Sequence, residues 1–160
     1  MHGKYLYIID GHNLIPKTSG LSLKMEDDEM ELVKRLQIFA RIKRAAIEVF
    51  FDQGQPGYNG LKQFGMVKAH FVRKGITADR EIINRIQKLQ KNAGAVTVVT
   101  SDHQILVEAR ALKFKSIRSE DFARLVDQVI FDDQKQDVLG FNTLSDDELD
   151  EWMKLFGGKE

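Results

Sequence analysis

Short β-prone runs alternate with longer segments of helical period along this chain. Lys4 to Asp10 (KYLYIID) is aromatic and β-branched, stops at Gly11, and predicts a buried strand. Met25 to Ile42 sets Leu32, Val33, Leu36, Phe39 and Ala40 at helical spacing. The acids Glu26 to Glu29 precede them, and Lys34, Arg35, Arg41 and Lys43 follow, an order that suits the helix dipole. Ala46 to Asp52 (AIEVFFD) predicts a second strand, halted by the turn-rich QGQPGYNG, and Gly65 to Val72 a third. A helix over Asp79 to Asn92 presents Ile82, Ile83, Ile86 and Leu89. Ala95 to Thr100 (AVTVVT) predicts a fourth strand, and Asp102 to Lys113 a helix through Ile105, Leu106, Ala109 and Leu112. Ser116 and Ile117 suggest a short fifth strand. Phe122, Leu125, Val126, Val129 and Ile130 mark a further amphipathic helix.

Such alternation predicts an α/β fold, a mainly parallel and roughly five-stranded sheet with helices on both faces. The connection from Gln53 to Phe64 is too short and too rich in Gly and Pro for a helix, so a hairpin and an irregular crossover both stay open there. After Phe131 the chain turns polar (DDQKQD). Ser145-Asp146-Asp147-Glu148 then forms a capping box ahead of Leu149, Trp152, Met153 and Phe156 at helical spacing. We expect one domain over residues 1–135, with 136–160 a polar linker and an appended amphipathic helix.

Composition narrows the function. With 160 residues the chain fits a single domain. Twenty-four basic and 24 acidic residues cancel, which excludes a generally basic nucleic-acid binder but not a local basic groove. The absence of cysteine removes disulfides, thiolate zinc sites and thiol nucleophiles together. No apolar run reaches the ~18 residues that a membrane span needs, and the first residues have no signal-like apolar core. The expectation is a soluble cytoplasmic protein with no membrane partner.

The chemistry gathers at strand ends. Open parallel sheets bind ligands at the carboxyl ends of their strands. Here the first strand ends in Asp10, the second in Asp52, and the fourth runs into Thr100, Ser101 and Asp102, while Asp79 and Glu81 open the middle helix. Each acid alone has a structural explanation: a turn after Asp10, a helix dipole for Asp79 and Glu81, a capping box of Ser101 and Gln104 with Asp102 at the first helical position. Together they crowd one rim. Two carboxylates ~5 Å apart repel by roughly 3 kcal/mol at an effective dielectric near 20, so the cluster calls for a cation or for retained protons. An all-oxygen donor set suits Mg²⁺ or Mn²⁺ rather than zinc.

These residues resemble a known family. Asp10-Gly11-His12-Asn13 after an apolar strand is similar to the D-G-Y-N opening of NYN domains, particularly the YacP-like branch of the PIN-like nucleases. Val98-Val99-Thr100-Ser101-Asp102 resembles that branch's V-V-T-S-D strand end, Thr77-Ala78-Asp79 its T-A-D segment, and Arg118 to Phe122 the start of its last helix. The resemblance spans roughly residues 4 to 130. It implies a PIN-like three-layer α/β/α sandwich and a divalent-metal-dependent endoribonuclease. Asp10, Asp79 and Asp102 would hold the metal, with Asp52 preferred over Glu81 and Asp121 as a fourth acid. Asn13 would join the catalytic group by holding the first loop or contacting phosphate. Ser101 would orient the acidic loop or touch substrate, and His12, where the family has Tyr, would stack on a base. Attack by a metal-activated water would leave a 5′-phosphate and a 3′-hydroxyl.

Positive charge for an RNA substrate is available at Lys68, Arg73 and Lys74, with His70, Arg80 and Lys62 nearby and Tyr58 and Asn59 in the preceding loop. His103 reads as surface and His2 as disordered. The expected partner is single-stranded RNA, with ribosome association a further possibility of the same reading. Two rivals stay open: a catalytically weak RNA- or ribosome-binding module on this fold, and a receiver-like phosphoacceptor using Asp52, Thr100 and Lys115.

Overall fold

A computed structural model describes residues 5–18, 20–21, 27–52, 60–72 and 76–139. The chain opens with β1 (Leu6–Asp10), a single turn α1 (Gly11–Leu14) and a 3₁₀ turn (Ile15–Lys17), then α2 (Asp28–Lys43) and β2 (Ala46–Phe51). A hairpin follows, β3 (Gly60–Phe64) and β4 (Val67–Phe71), then α3 (Ala78–Lys88) with a 3₁₀ segment (Gln90–Ala95). The remainder is β5 (Val96–Val99), α4 (His103–Ala111), β6 (Lys115–Ile117) and α5 (Ser119–Leu139). No described helix is long and apolar enough to cross a membrane.

The sheet has six strands in the order β3-β4-β2-β1-β5-β6, parallel throughout except for the antiparallel β3–β4 pair. This is the mainly parallel sheet of roughly five strands expected, with β3, the outer arm of the hairpin that the sequence left open, as the sixth. Gly65, expected inside a strand, is instead the first residue of the two-residue turn, at φ +62°, a conformation that favours glycine. β3 gives little strand signal because it is an exposed edge with no buried face to impose alternation. α5 also runs beyond the apolar segment around Phe122–Ile130, through the polar DDQKQD, to Leu139. Residues 131–136 are mostly exposed, so hydrophobic periodicity had no reason to mark them. The capping box at Ser145 and the apolar stripe to Phe156 lie outside the described residues.

β1, β2 and β5 are largely apolar on both faces, Glu48, Thr97 and the terminal Asp10 excepted, because each face carries helices. Tyr7, Ile9, Ile47, Val49, Phe51, Val67, Ala69 and Val99 meet Leu32, Val33, Leu36 and Phe39 of α2 and Phe122 and Val126 of α5. Tyr7, Phe39 and Phe122 form a triangle of rings with centroids 5.2 to 5.5 Å apart. On the other face Ile8, Phe50, Val96 and Val98 pack against Ile82 and Ile86 of α3 and Ile105 and Ala109 of α4. Period-two alternation puts Asp10, Asp52 and Thr100 in phase with this second face. Asp79, in the first turn of α3, stands at the same end. This arrangement places the candidate site.

Candidate active site

Strand order reverses at β1. The chain builds outward from β1 through β2 and β4, then returns to lay β5 on the other side. The crevice at such a reversal lies beyond the carboxyl ends of β1 and β5, where Asp10 and Thr100 sit. Asp10 is 6% exposed. It accepts a hydrogen bond from Thr100 Oγ1 at 3.3 Å and another from the Asn13 backbone N–H. The same Thr100 oxygen accepts the Asp102 N–H at 3.0 Å, so one hydroxyl ties the end of β1 to the loop after β5. Gly11 must be glycine here, since a Cβ would stand 2.4 Å from the Phe51 ring and 2.9 Å from the Phe50 carbonyl.

Two further acids enter through helix capping. Asp52 Oδ1 accepts the N–H of Ala78, the first residue of α3, at 2.5 Å, and Thr77 Oγ1 accepts that of Arg80 at 3.1 Å. This double cap fixes α3 so that Asp79 faces the rim. Asp102, not Ser101, is the N-cap of α4, its Oδ1 accepting the Ile105 N–H at 3.0 Å. The expected Ser101–Gln104 capping box does not form, because the Ser101 hydroxyl is engaged elsewhere. It donates to Glu120 Oε1 at 2.6 Å and accepts the Ser119 N–H at 3.1 Å.

The electrostatics show that the acids sense one another. Burial raises the Asp10 pKa, and the charges of Asp79 and Asp52 add to it against the hydrogen bonds of Asn13 and Thr100, leaving it at about 6. Burial likewise raises Asp79, reinforced by the charges of Asp102 and Asp52. Among the described residues none of these four carboxylates forms an ion pair with Lys or Arg. Four oxygen-only donors with no Lys or Arg partner match a hard divalent cation by chemistry. Among the described residues no three His, Asp or Glu side chains stand in ligating geometry, so binding an ion would draw the carboxylates inward.

The other expected site residues divide. Asn13 Oδ1 accepts two donors, the Ser101 N–H at 2.8 Å and the Ser119 hydroxyl at 2.6 Å. It therefore holds the loops after β1, β5 and β6 together, as the first of its two expected roles requires. His12 contacts the scaffold through both ring nitrogens. Its Nε2 meets Glu29 of α2 at 2.5 Å, its Nδ1 receives the Asp52 N–H at 3.3 Å, and its ring lies 5.5 Å from that of Phe51. Burial lowers the His12 pKa, but the hydrogen bond and charge of Glu29, with Asp52 and Asp10, outweigh it and leave the value raised. Lys68 lies below the rim on β4, two residues before His70, which is in register with Phe50 and through it with Asp10. Asp121 is exposed and pairs with Arg124. His103 is exposed, as expected. Arg73, Lys74, Tyr58, Asn59 and His2 fall outside the described residues. Lys115, which a receiver would need at the rim, is instead in register with Thr97 and Tyr7 and donates to the Tyr5 hydroxyl at 3.0 Å.

Glu29, Glu120 and Ser119 escape sequence reasoning as partners of the site. Glu29 sits in an acidic run that reads as helix-dipole charge. Glu120 and Ser119 lie at a helix start, and only the fold brings them to Ser101 and Asn13.

The profile of the YacP-like NYN domain family matches residues 7–155. Two solved structures of Rae1 (YacP) from Bacillus subtilis are similar to the chain. One, a mutant, is 20% identical, with 95% of this chain and 92% of that chain covered at a TM-score of 0.69. The other is also 20% identical, with 96% and 95% covered at a TM-score of 0.65. At that identity the likeness is one of fold. No curated protein matches the chain.

Proposed function

The chain belongs to the YacP-like NYN domain family, a family of PIN-like nucleases, and from this premise we propose that it is a divalent-metal-dependent endoribonuclease. The observation that supports this reading most is the carboxylate rim. Asp10, Asp52, Asp79 and Asp102 come from four separate segments, the acids around Asp10 and Asp79 push those two pKa values up, and none of the four pairs with Lys or Arg among the described residues. Mg²⁺ or Mn²⁺ bound there supplies Lewis-acid stabilisation of the phosphate and lowers the pKa of a bound water.

The protein's own contribution is placement. Asp10, Asp79 and Asp102 would hold the ion, with Asp52 as a further acid whose Oδ1 is committed to Ala78. Asn13 fixes three loops at once and is a positioning residue. Ser101 orients the Asp102 loop through Glu120 and Ser119, which favours positioning over substrate contact. The substrate in this reading is single-stranded RNA, whose unstacked bases and backbone are open to side chains in a way that a duplex is not. Cytoplasmic location and a ribosomal partner belong to the same proposal and add no residue to it.

A second reading, RNA binding without cleavage, draws on the absence of three side chains in ligating geometry among the described residues. One experiment separates the two. Single-stranded RNA is incubated with the protein and Mg²⁺ or Mn²⁺, alongside Asp10→Asn and Asp102→Asn. Cleavage that needs the metal and both carboxylates is the expected result. RNA retained but never cut supports the second reading, and cleavage that survives both substitutions overturns the rim as the active site.

A further inference from the structure

α3 divides the second face of the sheet into two grooves. It packs on β1 and β2, and among the described residues no helix covers that face of β4 and β3. The trench left between α3 and the β3–β4 hairpin holds two adjoining cavities of about 480 and 320 Å³ that share Leu61, His70 and Glu81. Its upper end reaches Val72 and Ile76, at the rim beside Thr77 and Asp79. Its lower end reaches Lys68 and Lys88. α3 runs antiparallel to the strands, so the trench follows it for roughly 13 Å from Asp79 to Lys88.

The floor is built, not accidental. Glu48 is buried beneath it and held by Arg85 through two hydrogen bonds of 2.9 and 2.7 Å and by His70 at 3.1 Å. His70 stacks on Phe50 with centroids 4.1 Å apart and planes 3° from parallel. Arg85 and Glu48 neutralise each other. Of the charges left, Lys68 and Lys88 have no ion-pair partner among the described residues, against the single acid Glu81. The lip is apolar, with Leu61 56% exposed and Ile76 also exposed. The groove on the other side of α3 has the opposite balance, Asp79 and Glu108 against Arg80.

We propose that the trench between α3 and the β3–β4 hairpin, with Lys68 and Lys88 for phosphates and Leu61, Ile76 and His70 for bases, carries the unpaired strand of RNA that flanks the scissile bond. This rests on the ribonuclease reading above and extends it. Two basic groups facing each other across the trench, Lys68 from β4 and Lys88 from α3, take a phosphate backbone, while apolar and ring surfaces take bases without selecting among them. The trench thus selects for unpaired RNA rather than for a particular sequence.

The test measures binding in the Asp10→Asn background, so that cleavage does not intrude. A fluorescein-labelled single-stranded RNA is titrated by anisotropy over a range of salt. Replacing both lysines (Lys68→Gln with Lys88→Gln) should weaken binding several-fold near 0.1 M salt and flatten the log K against log salt slope by about 1.4, or ~0.7 for each phosphate no longer neutralised. Leu61→Glu at the exposed lip should also weaken binding. Lys34→Gln with Lys43→Gln, on exposed positions of α2 across the sheet, should change neither quantity. An unlabelled duplex should compete less well than the single strand. Unchanged affinity and slope in the double lysine variant overturn the trench and leave the nuclease assignment standing. Failure of Asp10→Asn to bind RNA at all also overturns it, while the nuclease assignment then falls only if the wild-type protein leaves RNA intact.

Discussion

Two buried carboxylates lie on the same face of this sheet and experience opposite fates. Glu48 is 4% exposed and Asp10 6% exposed, and neighbouring strands place them one alternation apart, Glu48 level with Ile8 and Asp10 level with Phe50. Burial works against the charge at both sites. At Glu48 the hydrogen bonds of His70 and Arg85 and their charges prevail, and its pKa is held at about 2. At Asp10 the charges of Asp79 and Asp52 add to burial, and its pKa is pushed up to about 6. The first carboxylate is compensated by its own neighbours; the second is not, and that difference supports the cation proposed above. Burial of an acid alone therefore does not single out a candidate site; burial without a compensating ion pair is the sharper signal.

The largest effect should follow from removing the uncompensated charge. Asp10→Asn should lower metal-dependent cleavage by more than about a hundredfold, beyond the usual cost of disturbing a residue behind a metal ligand. Without metal the same substitution should stabilise the protein. The folded pKa of Asp10 lies above its ordinary 3.8, so its contribution is fully present below that value and is lost as pH rises through about 6. The displacement corresponds to about 3 kcal/mol. Glu48 has the reverse sign: its contribution is present above 4.5 and is lost as pH falls through about 2. Thermal melts of metal-free protein should show stability declining between pH 4 and 6.5 in the wild type, with that limb absent in Asp10→Asn. Mg²⁺ at neutral pH should raise the wild-type melting temperature and leave that of Asp10→Asn unmoved. A wild-type protein indifferent to Mg²⁺ by both measures would put Asp10 in the same class as Glu48.

The converse test removes compensation where it exists. Arg85→Leu leaves Glu48 buried with only His70, and the loss of one partner of a buried pair costs about 3 kcal/mol, the low end of its range because Arg85 is a third exposed. Urea unfolding should show this loss, while the Mg²⁺-dependent rise in melting temperature persists. Loss of that rise in Arg85→Leu would mean the two regions are coupled and the contrast is false.

One side of this contrast is legible in the amino-acid sequence. Asp10, Asp52 and Asp102 end or follow apolar strands, and strand polarity in a parallel sheet puts such residues on one edge. Asp79 opens a helix whose start must return to that edge. The compensated site is not legible: Glu48, His70 and Arg85 are charges within two strands and a helix, and only the parallel β2–β4 register together with α3 joins them. The same limit hides β3, whose exposed residues have no face to alternate against, and the turn at Gly65. It also hides the engagement of Ser101, since the distance in sequence to Glu120 carries no periodic signal.

Between these extremes lies Asn13, neutral yet central. Its Oδ1 receives donors from Ser101 and Ser119, and Asn13→Ala would leave both unpaired at a cost of about 1–3 kcal/mol. Because Asp102 follows directly on Ser101, cleavage should fall about tenfold or more in kcat. Asn13→Asp keeps an acceptor oxygen and should recover much of the stability, but it adds a charge beside the rim and should leave cleavage impaired. Equal stability in the two variants would remove the loop-holding role.

The smallest effect tests where the rim ends. His12 lies beside the acids in sequence, yet its two ring nitrogens face Glu29 and the Asp52 N–H. If His12 serves the scaffold, a neutral ring suffices: Nδ1 accepts from Asp52 and Nε2–H donates to Glu29, and protonation would cost the first of these bonds. Glu29→Gln preserves an oxygen acceptor for Nε2–H and removes only a charge that is about one-quarter exposed. Stability should change by less than about 1 kcal/mol, as for other partly exposed pairs, and cleavage should stay within a few-fold. A much larger loss of cleavage, with stability unchanged, would require a protonated His12 balancing Asp10 and Asp52. The rim would then contain a cation of its own, and the distinction between Asp10 and Glu48 would shrink to one of degree.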